Sequence, residues 1–170
     1  MAILGGLRKS DPLNPHQQLY FDLLIAVDAD TPEAVEGFLD RTDPEQQSRL
    51  LTDMMGTLAG LMQAQAEDSG DSSQQIAARW RTRFIDAILP QMGESAAEWE
   101  LCAGAVIDSI PAFLAREEEI PAPLADAFTK VEDVTELLLA AAHLVAGMVQ
   151  VNGFSERKRH QFFRQFARKV

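Results

Sequence analysis

The sequence predicts an all-α fold, a single irregular bundle of about seven or eight helices around a central apolar helix over about 131–151. Three observations carry that reading. The pairs Asn14-Pro15, Thr31-Pro32 and Asp43-Pro44 each set a capping side chain before a proline, whose missing N–H is no loss at the first helical position. Apolar residues recur at the 3.6-residue period over long stretches. No stretch alternates apolar and polar residues between hairpin turn signals, so a sheet has no source. A chain of 170 residues fits one domain spanning 1–170.

The elements follow in order. Residues 1–13, with Ile3, Leu4 and Leu7, read as an N-terminal arm. Helices are expected over about 15–28, 32–41 and 44–66, and Asp30 with Glu33 fits a capping box for the second. The third carries Leu50, Leu51, Met54, Met55, Leu58, Leu61 and Met62 on one face, a core-facing stripe. Gly56 and Gly60 lie opposite. Each costs roughly 1 kcal/mol relative to alanine in a helix, so another helix, of this chain or of a second copy, is expected to cross there at short distance. Residues 67–73 read as an exposed loop around Gly70.

A fourth helix sets Ile76, Trp80, Phe84, Ala87 and Ile88 on one face and ends before Pro90. Ser95 caps a fifth with the stripe Trp99, Cys102, Val106 and Ile110, and Pro111 kinks it or starts a new turn. A short helix over 124–128 leads into the central one, which Asn152-Gly153 ends. The last helix starts at Ser155.

Composition narrows the function. Fifteen cations against 26 anions give a net charge of −11, which disfavours wholesale nucleic-acid binding. Charge is unevenly spread: residues 155–170 hold six cations and one anion, whereas residues 1–154 hold nine cations and 25 anions. The segment 154–170 is thus a basic amphipathic helix. Its phenylalanines face one way and its arginines another, a pattern that suits a partner's groove, an anionic membrane, a nucleic acid or docking on its own bundle. The candidate contacts there are Arg157, Arg159, Phe162, Phe163, Arg164, Phe166 and Arg168. On the acidic body they are Asp28, Asp30, Glu33, Glu36 and Asp40, with Glu117, Glu118 and Glu119.

Catalytic and metal motifs are not found. Cys102 is the one cysteine, on an apolar flank where thiols are inert, and the histidines at 16, 143 and 160 show no metal-ligand spacing. No metal and no cofactor is expected. His143 shares a narrow polar edge with Glu132, Glu136 and Gln150, which solvent explains. Arg79, Arg81 and Arg83 read as ion-pair partners for acidic neighbours.

The longest apolar run, 137–149, is 13 residues, short of the roughly 20 a membrane span needs. Met1 to Leu7 precede Arg8 and Lys9, the reverse of secretory signal order, so a cytoplasmic address is expected. The leading reading is a non-enzymatic interaction module, an adaptor, regulator, inhibitor or assembly chaperone, binding a protein partner through the acidic surface or the basic tail, with a homo-oligomer as a further option. Two others stand beside it: a small-molecule or metal site near Trp80, Trp99, Cys102 and His143, and attachment to membrane or nucleic acid through the C-terminal helix alone.

Overall fold

The computed structural model describes residues 11–116 and 119–170, and among them every regular element is helical. The helices are α1 (Pro15–Ala29), α2 (Pro32–Leu39), α3 (Pro44–Ser69), α4 (Ser73–Arg81), α5 (Leu89–Met92), α6 (Ala96–Ala115), α7 (Ala122–Phe128), α8 (Val134–Gln150) and α9 (Glu156–Ala167). The all-α expectation is met.

Local chemistry explains the starts. Asn14 accepts from Gln17 N while the Gln17 side chain returns to the Asn14 N–H, and the same reciprocal box closes at Asp43 with Gln46 and at Ser72 with Gln75. The second helix is capped differently from the Asp30 and Glu33 box expected. Thr31 accepts from Ala34 N, while Asp30 sits in the left-handed region (φ 53°) and closes α1. Ser95 stands at the cap position of α6 without a capping hydrogen bond, because a 3-10 turn over Gly93–Ser95 feeds that helix. Pro111 stays inside α6, which ends four residues later at Ala115.

The fourth helix departs most from expectation. A π turn over Thr82–Asp86 follows α4, with Ala87 N bonded to Thr82 O. The wider turn moves Ala87 and Ile88 off the buried stripe into solvent and brings Ile85 in. Ile88 N bonds to Ile85 O, so the Phe84 carbonyl that it would meet in an α-helix accepts the Trp99 indole N–H instead, at 2.9 Å.

The middle of the molecule is α8, which packs against α1, α3, α6 and α9. Its alanines Ala140, Ala141, Ala142 and Ala146 are all buried, so neighbouring helices approach closely on several sides. Leu50, Met54, Leu58 and Met62 of α3 and Val106 and Ile110 of α6 meet it in one connected core. No described helix is long and apolar enough to cross a membrane.

Candidate functional site

Three places collect the residues singled out by sequence: the C-terminal helix, the space between α6 and α8, and the outer face of α3.

The C-terminal helix lies on the bundle. Phe163 and Ala167 are fully buried, and Phe162 and Phe166 pack partly against the core, so Phe163 is a core residue and not a partner contact. Arg159 is spent internally. Its Nε and Nη2 donate to the two carboxylate oxygens of Asp28 at 2.8 and 3.1 Å, and its Nη1 donates to Phe154 O at 2.8 Å. Asp28 also accepts from Gln150 and faces His160 at 3.4 Å, so it is the buried anchor of the tail and not part of an open acidic surface. Burial alone would raise its carboxyl. The hydrogen bonds from Arg159 and Gln150 and the Arg159 charge outweigh burial and hold it below the usual carboxylate range.

Of the other tail residues, Arg157 and Arg164 are exposed, with Arg164 reaching over the Phe21 ring, while Arg168 donates to Asp11 O at 3.2 Å. On the acidic body Asp30, Glu33, Glu36 and Asp40 are exposed around α2, and Glu119 is exposed beside α7. Glu117 and Glu118 lie outside the described residues. The arginine trio divides as well: Arg79 pairs with Asp71, Arg81 with Asp108 at 2.8 Å, and Arg83 lies over the Phe84 ring.

Between α6 and α8 the fold joins Trp99, Cys102 and His143 with Glu98 and Glu136 around a cavity of about 210 Å³. His143 meets Trp99 edge-on, with ring centroids 6.2 Å apart, and burial lowers its pKa, so it is neutral at pH 7. The lower part of the polar edge of α8 therefore faces a pocket rather than open solvent. Burial, with the charges of Glu136 and Glu98, pushes the Cys102 thiol up to about 11. Trp80 is not part of this group; its indole N–H donates to Gln65 on α3 at 2.9 Å. Among the described residues no group of three His, Cys, Asp or Glu side chains is placed to hold a metal ion. The cavity is also smaller than the roughly 300–1,000 Å³ usual for small-molecule pockets.

The outer face of α3 is built differently. Ser48, Thr52, Gly56, Gly60 and Ala64 recur every four residues, which sets them in one exposed row along the helix. A Cβ built on Gly56 or Gly60 would meet nothing within 4 Å, so no described helix of this chain makes the close crossing expected there. The row instead floors a trough. One part, about 570 Å³, lies over Gly56 and Gly60 and is bordered by Phe113 of α6 and by Phe166, Lys169 and Val170 at the C-terminal turn. The other, about 300 Å³, lies over Ser48 and Met55 and is bordered by Ile120, Leu124 and Phe128. Thr52 and Phe113 line both, which makes the trough continuous. Ile120 and Phe128, 53% and 39% exposed, stand at its α7 end.

Sequence reading located the two glycines and missed the rest of the trough. The period-four row was legible in the residues; its borders come from α6, α7 and the C-terminal turn, which only the fold brings to α3. No family model, curated protein or solved structure matches the chain.

Proposed function

We propose that this chain is an interaction module, not an enzyme, that receives one amphipathic helix of a protein partner in the trough along α3. The observation that carries the reading is the uncovered glycine pair. Two glycines inside a 26-residue helix cost roughly 2 kcal/mol relative to alanine, and among the described residues no side chain uses the space they open. A sequence that breaks a local rule without local compensation is expected to do so where it functions.

The trough suits a helix. From Ser48 to Ala64 the axis rises about 24 Å, the length of a helix of roughly 16 residues. Small floor residues let helix axes approach closely, and Phe113, Leu124 and Phe128 offer apolar borders for side chains at i, i+3, i+4 and i+7. With a net charge of −11 on the chain, the partner helix carries lysine or arginine beside its apolar stripe, and association slows as salt rises. A cytoplasmic setting fits a lone buried cysteine.

The test is a paired capture at low salt from source lysate with the wild-type chain and with Gly56→Leu/Gly60→Leu, which fills the floor without touching the core. Loss of a partner only in the filled variant supports the proposal. A partner retained by the filled variant but lost on Arg157→Glu/Arg164→Glu places binding on the exposed tail cations and overturns it.

A further inference from the structure

The part of the trough beside α7 differs in chemistry from the part over the glycines. We propose that the cavity over Met55 takes an aromatic side chain of the partner helix, with a lysine or arginine of that helix set against Glu119. The proposal rests on reading the trough as the partner site, and it names the partner's anchor.

The lining carries it. Met55 on the floor is 2% exposed, and Phe113, Ile120, Leu124 and Phe128 stand around it. Among the described residues four large apolar side chains are exposed, and two of them, Ile120 and Phe128, edge this one cavity. A side chain inserted between them takes both out of water, which is favourable. At about 300 Å³ the space sits at the lower end of small-molecule pockets, so it suits one ring rather than a whole cofactor. The walls select an aromatic ring. The Met55 thioether and the rings of Phe113 and Phe128 offer sulfur–ring and edge-to-face contacts that an aliphatic side chain does not make.

Charge supplies the second half. Among the described residues Glu119 is the one charged side chain that lines this cavity, and it makes no ion pair there. Over the glycines the balance is different: Asp53 is bonded to His16, and Lys169 lines the same space. The uncompensated carboxylate therefore stands beside the apolar hole at the α7 end. A helix whose side chain fills that hole brings its neighbouring turn to Glu119, so a cation at i+3 or i+4 from the anchor meets it. The remaining apolar stripe of the partner then runs over Gly56 and Gly60.

The experiment titrates phenethylamine into the full chain at low salt, to tens of millimolar because a ligand of this size binds weakly, and reads methyl NMR shifts. Two matched probes run beside it: phenylpropionate, with the same ring and the opposite charge, and cyclohexylethylamine, with the same cation and a saturated ring. The expected result is saturable shifts at the Met55, Ile120 and Leu124 methyls. Phenylpropionate binds roughly three- to tenfold more weakly, and cyclohexylethylamine at least about twofold more weakly. In Glu119→Gln the charge preference falls to within about twofold. In Phe128→Ser, a change at an exposed position, phenethylamine binds at least about threefold more weakly. The proposal is overturned by silence at Met55, by equal binding of the two charges, by a charge preference kept in Glu119→Gln, or by a saturated ring bound as tightly as the aromatic one. Shifts at Trp99 and His143 in place of Met55 overturn it as well.

The helix reading and the anchor fail separately, because Gly56 and Gly60 line the other part of the trough. Probes that bind as expected, with no partner lost on filling the glycines, overturn the helix reading and leave the cavity to a free aromatic amine. A partner lost on filling the glycines but kept by Phe128→Ser/Glu119→Gln overturns the anchor alone.

Discussion

Asp28 and Arg159, 131 residues apart, form a two-point ion pair that fastens the last helix to the first. The Asp28 side chain is 2% exposed. A carboxylate so placed is stable only because Arg159 and Gln150 supply donors to it, and the pair decides that the basic helix closes the bundle. The charge asymmetry read in the sequence is thus partly spent inside the molecule.

Replacing Asp28 by Asn keeps the shape and removes the charge facing Arg159. The expected outcome is a melting midpoint several degrees lower, with amide exchange in Glu156–Ala167 rising more than in α8. Unchanged exchange in α9 would show that Phe163 and Ala167 alone hold it.

The same pair sets an acid limit. Because the folded pKa of Asp28 is lowered, its contribution is complete above the unfolded value of about 3.9 and is lost as pH falls through the folded value. Urea unfolding of wild type and Asp28→Asn between pH 6 and pH 2 checks this: the stability gap narrows below about pH 4. A gap that widens toward pH 2 contradicts the sign.

Glycines on the two sides of the α3 end behave oppositely. Gly60→Ala meets no other described residue, in a helical backbone, and is expected to stabilise by about 1 kcal/mol, or about 2–4 °C in the melting midpoint. Gly70, at φ 74°, terminates the helix in the left-handed region, so Gly70→Ala is expected to destabilise by about 1 kcal/mol. Calorimetry of both variants checks the pair, and a destabilised Gly60→Ala would reveal a neighbour over the trough floor.

Cys102, with its thiol pushed up to about 11 and its side chain buried, is expected to react slowly. At pH 7 a disulfide reagent should label the native chain at least about a hundredfold more slowly than the urea-unfolded chain. Comparable rates would mean that the cavity between α6 and α8 opens freely.

Ser109 is fully buried, and its hydroxyl has no hydrogen-bond partner among the described residues. Ser109→Ala removes that uncompensated polar group and is expected to stabilise by about 1 kcal/mol, read from urea midpoints at constant slope. A loss of stability instead would mean that the hydroxyl is satisfied in solution.

The sequence by itself determined what short-range chemistry decides. Asn14, Thr31, Asp43 and Ser155 with their neighbours set helix starts, because a cap and its N–H partners lie within three residues. The apolar stripe of α3 and the nearly all-round apolar surface of α8 determined which faces go inside and which helix is central, since periodicity is a property of the chain alone. Gly56 and Gly60 were visible as a cost.

Tertiary structure decided what depends on residues far apart. The π turn at Thr82–Asp86 redirects the Phe84 carbonyl to Trp99, a bond between separate helices that no local pattern contains. Asp28 became an anchor rather than an acidic surface because α9 returns to α1. Trp99, Cys102 and His143 meet only where α6 crosses α8. The trough exists because α6, α7 and the C-terminal turn border α3 without covering it, and that is a matter of packing between helices, which a one-dimensional pattern does not encode.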